Sequence, residues 1–134
     1  MKNARLSFIL LFFVIGCAKP DIAIPERLPA DLAITQAAAP ASVIRYAPIP
    51  VQLRVTGPNQ CYQFSYFQVV QPNPLTYDIQ AKGTMTNPVT NPVCAPQAYL
   101  KDTTVMLPTQ FAGKHALRYF NGAALFRVDT VMVN

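Results

Sequence analysis

Acid is scarce in this chain: six Asp and Glu stand against eleven Lys and Arg, and charged residues of both signs make up only 13%. Histidine occurs once, at His115, glycine five times, and tryptophan not at all. Each shortage removes a class of function. A Ser-His-acid triad or a Cys-His pair would have to use His115. That residue follows Gly113 and Lys114 at the start of an expected strand, a setting that reads as a surface turn. After Pro50 the carboxylates are Asp78, Asp102 and Asp129, on three separate elements, a poor basis for paired-acid hydrolysis. The glycines are isolated, so no glycine-rich loop cradles phosphate. Two lone thiols and one distant histidine lack zinc-type spacing. No catalytic, metal or cofactor site is therefore expected. The net charge of +5 is dispersed, so nucleic acid is not an expected partner. Nor is there an apolar run of the roughly 20 residues that a membrane-crossing helix needs.

What is present is apolar and rich in proline. Hydrophobic residues reach 51%, with eight Phe and six Tyr, which excludes wholesale disorder. Thirteen prolines exclude a helical bundle or coiled coil. A length of 134 residues suits one domain.

The chain opens with Lys2 and Arg5, then the apolar run LSFILLFFVI over residues 6–15, ended by Lys19, Pro20 and Asp21. A basic start before about ten apolar residues is the layout of a secretory signal. At its end, Val14-Ile15-Gly16-Cys17 resembles the lipobox of bacterial lipoproteins. That resemblance implies cleavage of residues 1–16, acylation of Cys17, and attachment to a membrane without spanning it. Each buried methylene contributes ~0.8 kcal/mol, so two or more acyl chains hold firmly where one holds weakly. Ala18 rather than Asp after the cysteine implies the outer membrane, by the same resemblance.

Three cysteines are an odd count for an exported chain. Lipidation of Cys17 accounts for one. Cys61 and Cys94 remain as an expected disulfide, since such bonds persist in oxidising compartments. Residues 17–49 are expected to be a lipid-anchored linker: residues 18–50 hold nine Ala, six Pro and no Gly, and frequent proline prevents a sustained helix. Within it, ASVIRY at residues 41–46 is a candidate first edge strand.

From residue 50 the periodicity becomes two. Val51, Leu53 and Val55 alternate with polar residues, as do Tyr77, Ile79, Ala81, Gly83 and Met85. Residues 61–70 (CYQFSYFQVV) are aromatic and strand-prone. Residues 86–93 write Thr-Asn-Pro-Val twice and read as a loop. Another strand is expected near residues 98–107. Asn121-Gly122 predicts a type I′ hairpin turn between residues 115–120 and 123–133. That register sets Leu117 opposite Phe126 and Tyr119 opposite Ala124.

These strands, with turns about every ten residues, predict an all-β domain over residues 50–134: a single antiparallel sandwich of six or seven strands. Its closing hairpin, Leu117-Arg118-Tyr119-Phe120-Asn121-Gly122 then Asp129-Thr130-Val131, resembles that of Ig-like domains in small bacterial surface lipoproteins. The Cys-Trp-Cys signature of antibody domains is missing. A small barrel is the alternative architecture. In residues 61–70, Tyr62, Phe64 and Tyr66 share one parity and Phe67 the other. A bulge near Tyr66-Phe67 would turn both sets inward. Without one, Tyr62, Tyr66 and Phe67 form a candidate binding patch. The expected role is a non-enzymatic binding or accessory module of an envelope complex, with a protein or glycan partner. The alternative is a hydrolase inhibitor inserting residues 87–96 as a rigid loop.

Overall fold

A computed structural model describes residues 23–91 and 93–134. The signal-like segment, the lipobox and Cys17 lie outside the described residues. Within them the chain is all-β, with eight strands in order: β1 Arg27–Ala38, β2 Ser42–Val43, β3 Ile49–Gly57, β4 Tyr62–Asn73, β5 Thr76–Thr86, β6 Tyr99–Leu107, β7 Gly113–Asn121 and β8 Ala124–Val133.

Six of these coincide with the strands expected after residue 48. Their alternation fixes their inner faces. In β3 it is Ile49, Val51, Leu53 and Val55 that are buried, and in β5 Tyr77, Ile79 and Ala81. These meet Leu117 and Tyr119 of β7, Val131 and Val133 of β8, and Leu107 of β6 in one core.

β1 corrects the linker expectation. Residues 27–38 fall inside the segment read as a tether, yet they form a strand in the middle of the sheet. Leu28, Ala30, Leu32 and Ile34 alternate with Pro29, Asp31 and Ala33, and Leu32 and Ile34 are enclosed in the core. Pro29 is tolerated because this half of β1 pairs on one side only, with β5. The second half pairs with β3 instead, after a register shift between Ile34 and Gln36. The folded unit thus begins near residue 27, not at residue 50. The candidate strand over residues 41–46 shrinks to the two residues of β2, parallel to β8.

The sheet is mixed, which corrects the expected all-antiparallel sandwich. Its order is β2-β8-β7-β5-β1-β3-β6, with β4 on the other edge of β5, and it curls as a half-barrel. β5 is the hub. One edge carries β4; the other is shared by β7, running parallel to residues 76–80, and by β1, antiparallel to residues 81–86. Gly83 permits this crowding, because a Cβ there would collide with the Gln63 carbonyl and the Leu32 side chain.

The β7–β8 hairpin forms, with a different turn and register. Its loop is Gly122-Ala123, since Asn121 pairs with Ala124. Gly122 alone has positive φ, at +61°, the pattern of a type II′ turn, whereas type I′ needs two such residues. That turn, together with a further register shift between Tyr119 and Phe120, sets Leu117 opposite Asp129 and Tyr119 opposite Arg127. Asn121 is freed for another task. Its Oδ1 accepts the Ile34 amide at 2.7 Å and its Nδ2 donates to the Ile34 carbonyl at 3.2 Å, standing in for a strand at the β1 irregularity.

Cys61 and Cys94 are bridged, with Cα atoms 5.5 Å apart, closing a 33-residue separation. Asn87 shapes the loop this bond staples. Its Nδ2 donates to the Pro25 carbonyl at 2.9 Å, its Oδ1 accepts the Val89 amide, and its carbonyl accepts the Asn91 amide.

Candidate functional site

The residues expected to form an aromatic patch on β4 are sorted by a bulge. The β4–β5 register shifts between Phe64 and Tyr66. Tyr62, Phe64 and Phe67 consequently pack against the core, with the rings of Phe64 and Phe67 4.8 Å apart. Tyr66 is left outside, 59% exposed. Tyr62, Tyr66 and Phe67 thus do not share one surface.

His115 is enclosed, 0% exposed, which corrects its reading as a surface turn residue. The strand starts two residues earlier, at Gly113, and puts His115 on the parity of Leu117 and Tyr119. Its Nε2 lies 2.8 Å from the Phe111 carbonyl oxygen, and its ring stacks on Tyr77 at 6.0 Å. Among the described residues, no three His, Cys, Asp or Glu side chains converge to hold a metal ion.

The carboxylates on the strands are each matched to a cation, three of them directly across a strand pair. Asp31 sits opposite Lys82 (2.7 Å), Asp78 opposite Arg118 (2.6 and 2.7 Å) and Asp102 opposite Arg54 (2.6 and 2.9 Å). Opposite charges at facing positions favour these registers over slipped ones. Asp129 pairs with Arg127 on its own strand at 2.7 Å. The Arg54 hydrogen bond holds the Asp102 carboxyl below its ordinary range. Deeper in, burial raises the Tyr119 phenol, and the Asp129 carboxylate adds to the shift.

Sequence reasoning missed one surface because it missed β1. Registers align Gln36, Arg54 and Asp102 across β1, β3 and β6, and Ala38, Gln52 and Thr104 in the next row. Those strands bury the opposite parity, through Ala37 and Leu53. The two rows line a groove of about 660 Å³, to which Arg127 of β8 also contributes. Chemically it holds amide and hydroxyl groups that both donate and accept, beside a guanidinium–carboxylate pair whose charges cancel. The signal was available: Leu32 and Ile34 alternating with Ala33 and Thr35 mark an amphipathic strand, once Pro29 is allowed at a one-sided position.

No protein-family model, curated protein or solved structure matches the chain.

Proposed function

We propose that this chain is a lipid-anchored, non-enzymatic binding module of a bacterial envelope, held to the outer membrane by acylated Cys17. We further propose that it takes a neutral, hydroxyl-rich ligand such as a glycan on the β1–β3–β6 face. The observation that carries the ligand class is the double row of Gln36, Gln52 and Thr104 around the Arg54–Asp102 pair. Its size lies within the roughly 300–1,000 Å³ of small-ligand sites. A phosphate or carboxylate ligand would want an unmatched cation, and both Arg54 and Arg127 are already paired with carboxylates. Sugar hydroxyls, which donate and accept together, match side-chain amides and hydroxyls. The enclosure of His115 supports the non-enzymatic part. The disulfide suits an oxidising compartment, which supports the exported location.

Two variants test it. Cys17→Ser is expected to leave the membrane fraction or to accumulate as uncleaved precursor; normal processing and attachment would sink the anchor. Gln52→Ala combined with Thr104→Ala is expected to lose retention on immobilised neutral envelope polysaccharide while keeping the parent melting temperature. Unchanged retention would remove the groove from the reading. Removing Asp102 alone should convert the site toward anions by freeing Arg54.

The stapled loop at residues 87–96 favours a second reading, a hydrolase inhibitor, because Val89 and Val93 stand outward beside the Cys61–Cys94 bond. A tight stoichiometric complex with an envelope hydrolase, lost in Val89→Asp, would support it over the first.

A further inference from the structure

Among the described residues, every strand of nine or more residues carries charge except β4. Arg27 and Asp31 lie on β1, Arg54 on β3, Asp78 and Lys82 on β5, Lys101 and Asp102 on β6, Lys114 and Arg118 on β7, Arg127 and Asp129 on β8. β4, YQFSYFQVVQPN, has none. It is also an edge, paired with β5 alone among the described strands. Edge strands ordinarily deter pairing by charge, proline or shortness. The other long edge, β6, obeys this through Lys101 and Asp102. β4 runs twelve residues and meets its first proline only at Pro72.

Its free backbone groups can be placed. The Thr86 amide bonds the Cys61 carbonyl, so odd-numbered residues before the bulge face β5. The Phe64 amide faces away and is taken by the Tyr99 hydroxyl at 3.2 Å. Past the bulge the phase flips, and antiparallel alternation leaves the amides and carbonyls of Phe67 and Val69 pointing outward. Tyr66, Gln68, Val69 and Val70 around them are all exposed.

We infer that this edge pairs with β4 of a second copy of the chain, antiparallel, about a two-fold axis through Gln68. In that register Phe67 of one copy exchanges hydrogen bonds with Val69 of the other, which uses all four outward groups of each. Tyr66 then faces Val70 and Phe67 faces Val69, aromatic against β-branched on both faces of the joint sheet. Gln68 meets Gln68, a pairing of neutral amides. The segment is self-complementary at each position. A two-fold contact sets the residue on the axis against its own copy, so a charge there would repel. A chain with more Lys and Arg than Asp and Glu meets itself most readily along the one long strand among the described residues that carries no charge. This inference stands apart from the proposed ligand groove, which lies on other strands.

The test uses the full chain in its membrane. Gln68→Cys places two thiols on the axis at a non-hydrogen-bonded pair, where Cα atoms lie about 4.5 Å apart in a regular ladder. It is expected to give a disulfide-linked dimer on a non-reducing gel, whereas Thr104→Cys on β6 stays monomeric. Adding Val69→Pro to Gln68→Cys removes an outward amide without touching the β5 pairing and should abolish the dimer. Val69→Lys should do the same by charge, with the melting temperature showing that both variants fold. A Gln68→Cys protein that remains monomeric, cross-links no more than Thr104→Cys, or joins a different protein overturns the inference. So does a monomer mass for the parent protein in detergent.

Discussion

Ile34 separates a folded first strand from a tether more sharply than any other side chain. It is 0% exposed, it lies on β1, and it sits within a segment whose composition reads as linker. Truncation to Ala removes three carbons from the core and leaves a cavity where neighbours relax only in part. Changes of this kind cost about 2–5 kcal/mol. The Asn121 amide clamps the Ile34 backbone from across the sheet, so β1 has little freedom to collapse into the gap. That argues for the middle of the range, about 3 kcal/mol. With unfolding entropy near 2.1 cal/mol/K per residue, the roughly 110 residues from β1 onward lose about 4 °C per kcal/mol, so Ile34→Ala should melt on the order of 12 °C lower. Ile44→Ala is the control: Ile44 is 72% exposed and ten residues further on, and its truncation should shift the midpoint by less than about 2 °C. Thermal unfolding followed by far-ultraviolet circular dichroism measures both. Equal midpoints for the two variants would mean that residues 27–38 hang free of the core, and both the sheet order and the groove would fall with β1.

Reduction of Cys61–Cys94 should cost roughly 3–4 kcal/mol, the chain-entropy value for a 33-residue loop, visible as a lower denaturant midpoint with reductant. Gly122→Val should cost about 1–3 kcal/mol through backbone strain alone, since φ is +61° and nothing lies within 4 Å of the added carbon; a midpoint equal to the parent would refute the positive-φ turn. The raised Tyr119 phenol sets an alkaline limit. Its folded value exceeds the unfolded one, so its contribution is complete below about pH 10 and is lost as pH rises beyond that. Stability of the parent should fall above pH 10, and Tyr119→Phe should flatten that fall; identical pH profiles would refute the assignment. Asp102 has the opposite sign: its carboxyl is held low by Arg54, so that contribution is present above about pH 4 and disappears as pH falls further, an effect that Asp102→Asn removes.

The sequence made the interior strands legible because their two faces differ. Val51, Leu53 and Val55, or Tyr77, Ile79 and Ala81, alternate against polar partners, and the structure buries them in that order. β1 was hidden by Pro29 and its alanines. Composition pointed to a linker, and Pro29 interrupts the alternation through Leu28, Leu32 and Ile34. The tolerance of Pro29 depends on which neighbour pairs where, a tertiary fact. The hairpin was visible as an element and misjudged in register. Asn-Gly permits a type I′ turn, but Asn121 is drawn to the Ile34 backbone and the turn moves one residue along. His115 looked like a turn residue because Gly113 precedes it, yet Gly113 itself begins the strand. The groove was illegible for the same reason as β1, since its rows exist only once β1, β3 and β6 lie side by side. The aromatic residues of β4 could be read as core or as surface, and the Phe64–Tyr66 register shift places three of them against the core and Tyr66 outside.

The proposal of a glycan-binding face is tested most directly by the side-chain amide resonances of Gln36 and Gln52. In a titration of the isotope-labelled protein with neutral envelope oligosaccharides, both should shift along one saturating curve, while those of Gln68 and Gln71 on β4 stay in place. Shifts confined to β4, or none at concentrations that saturate polysaccharide retention, would contradict the reading.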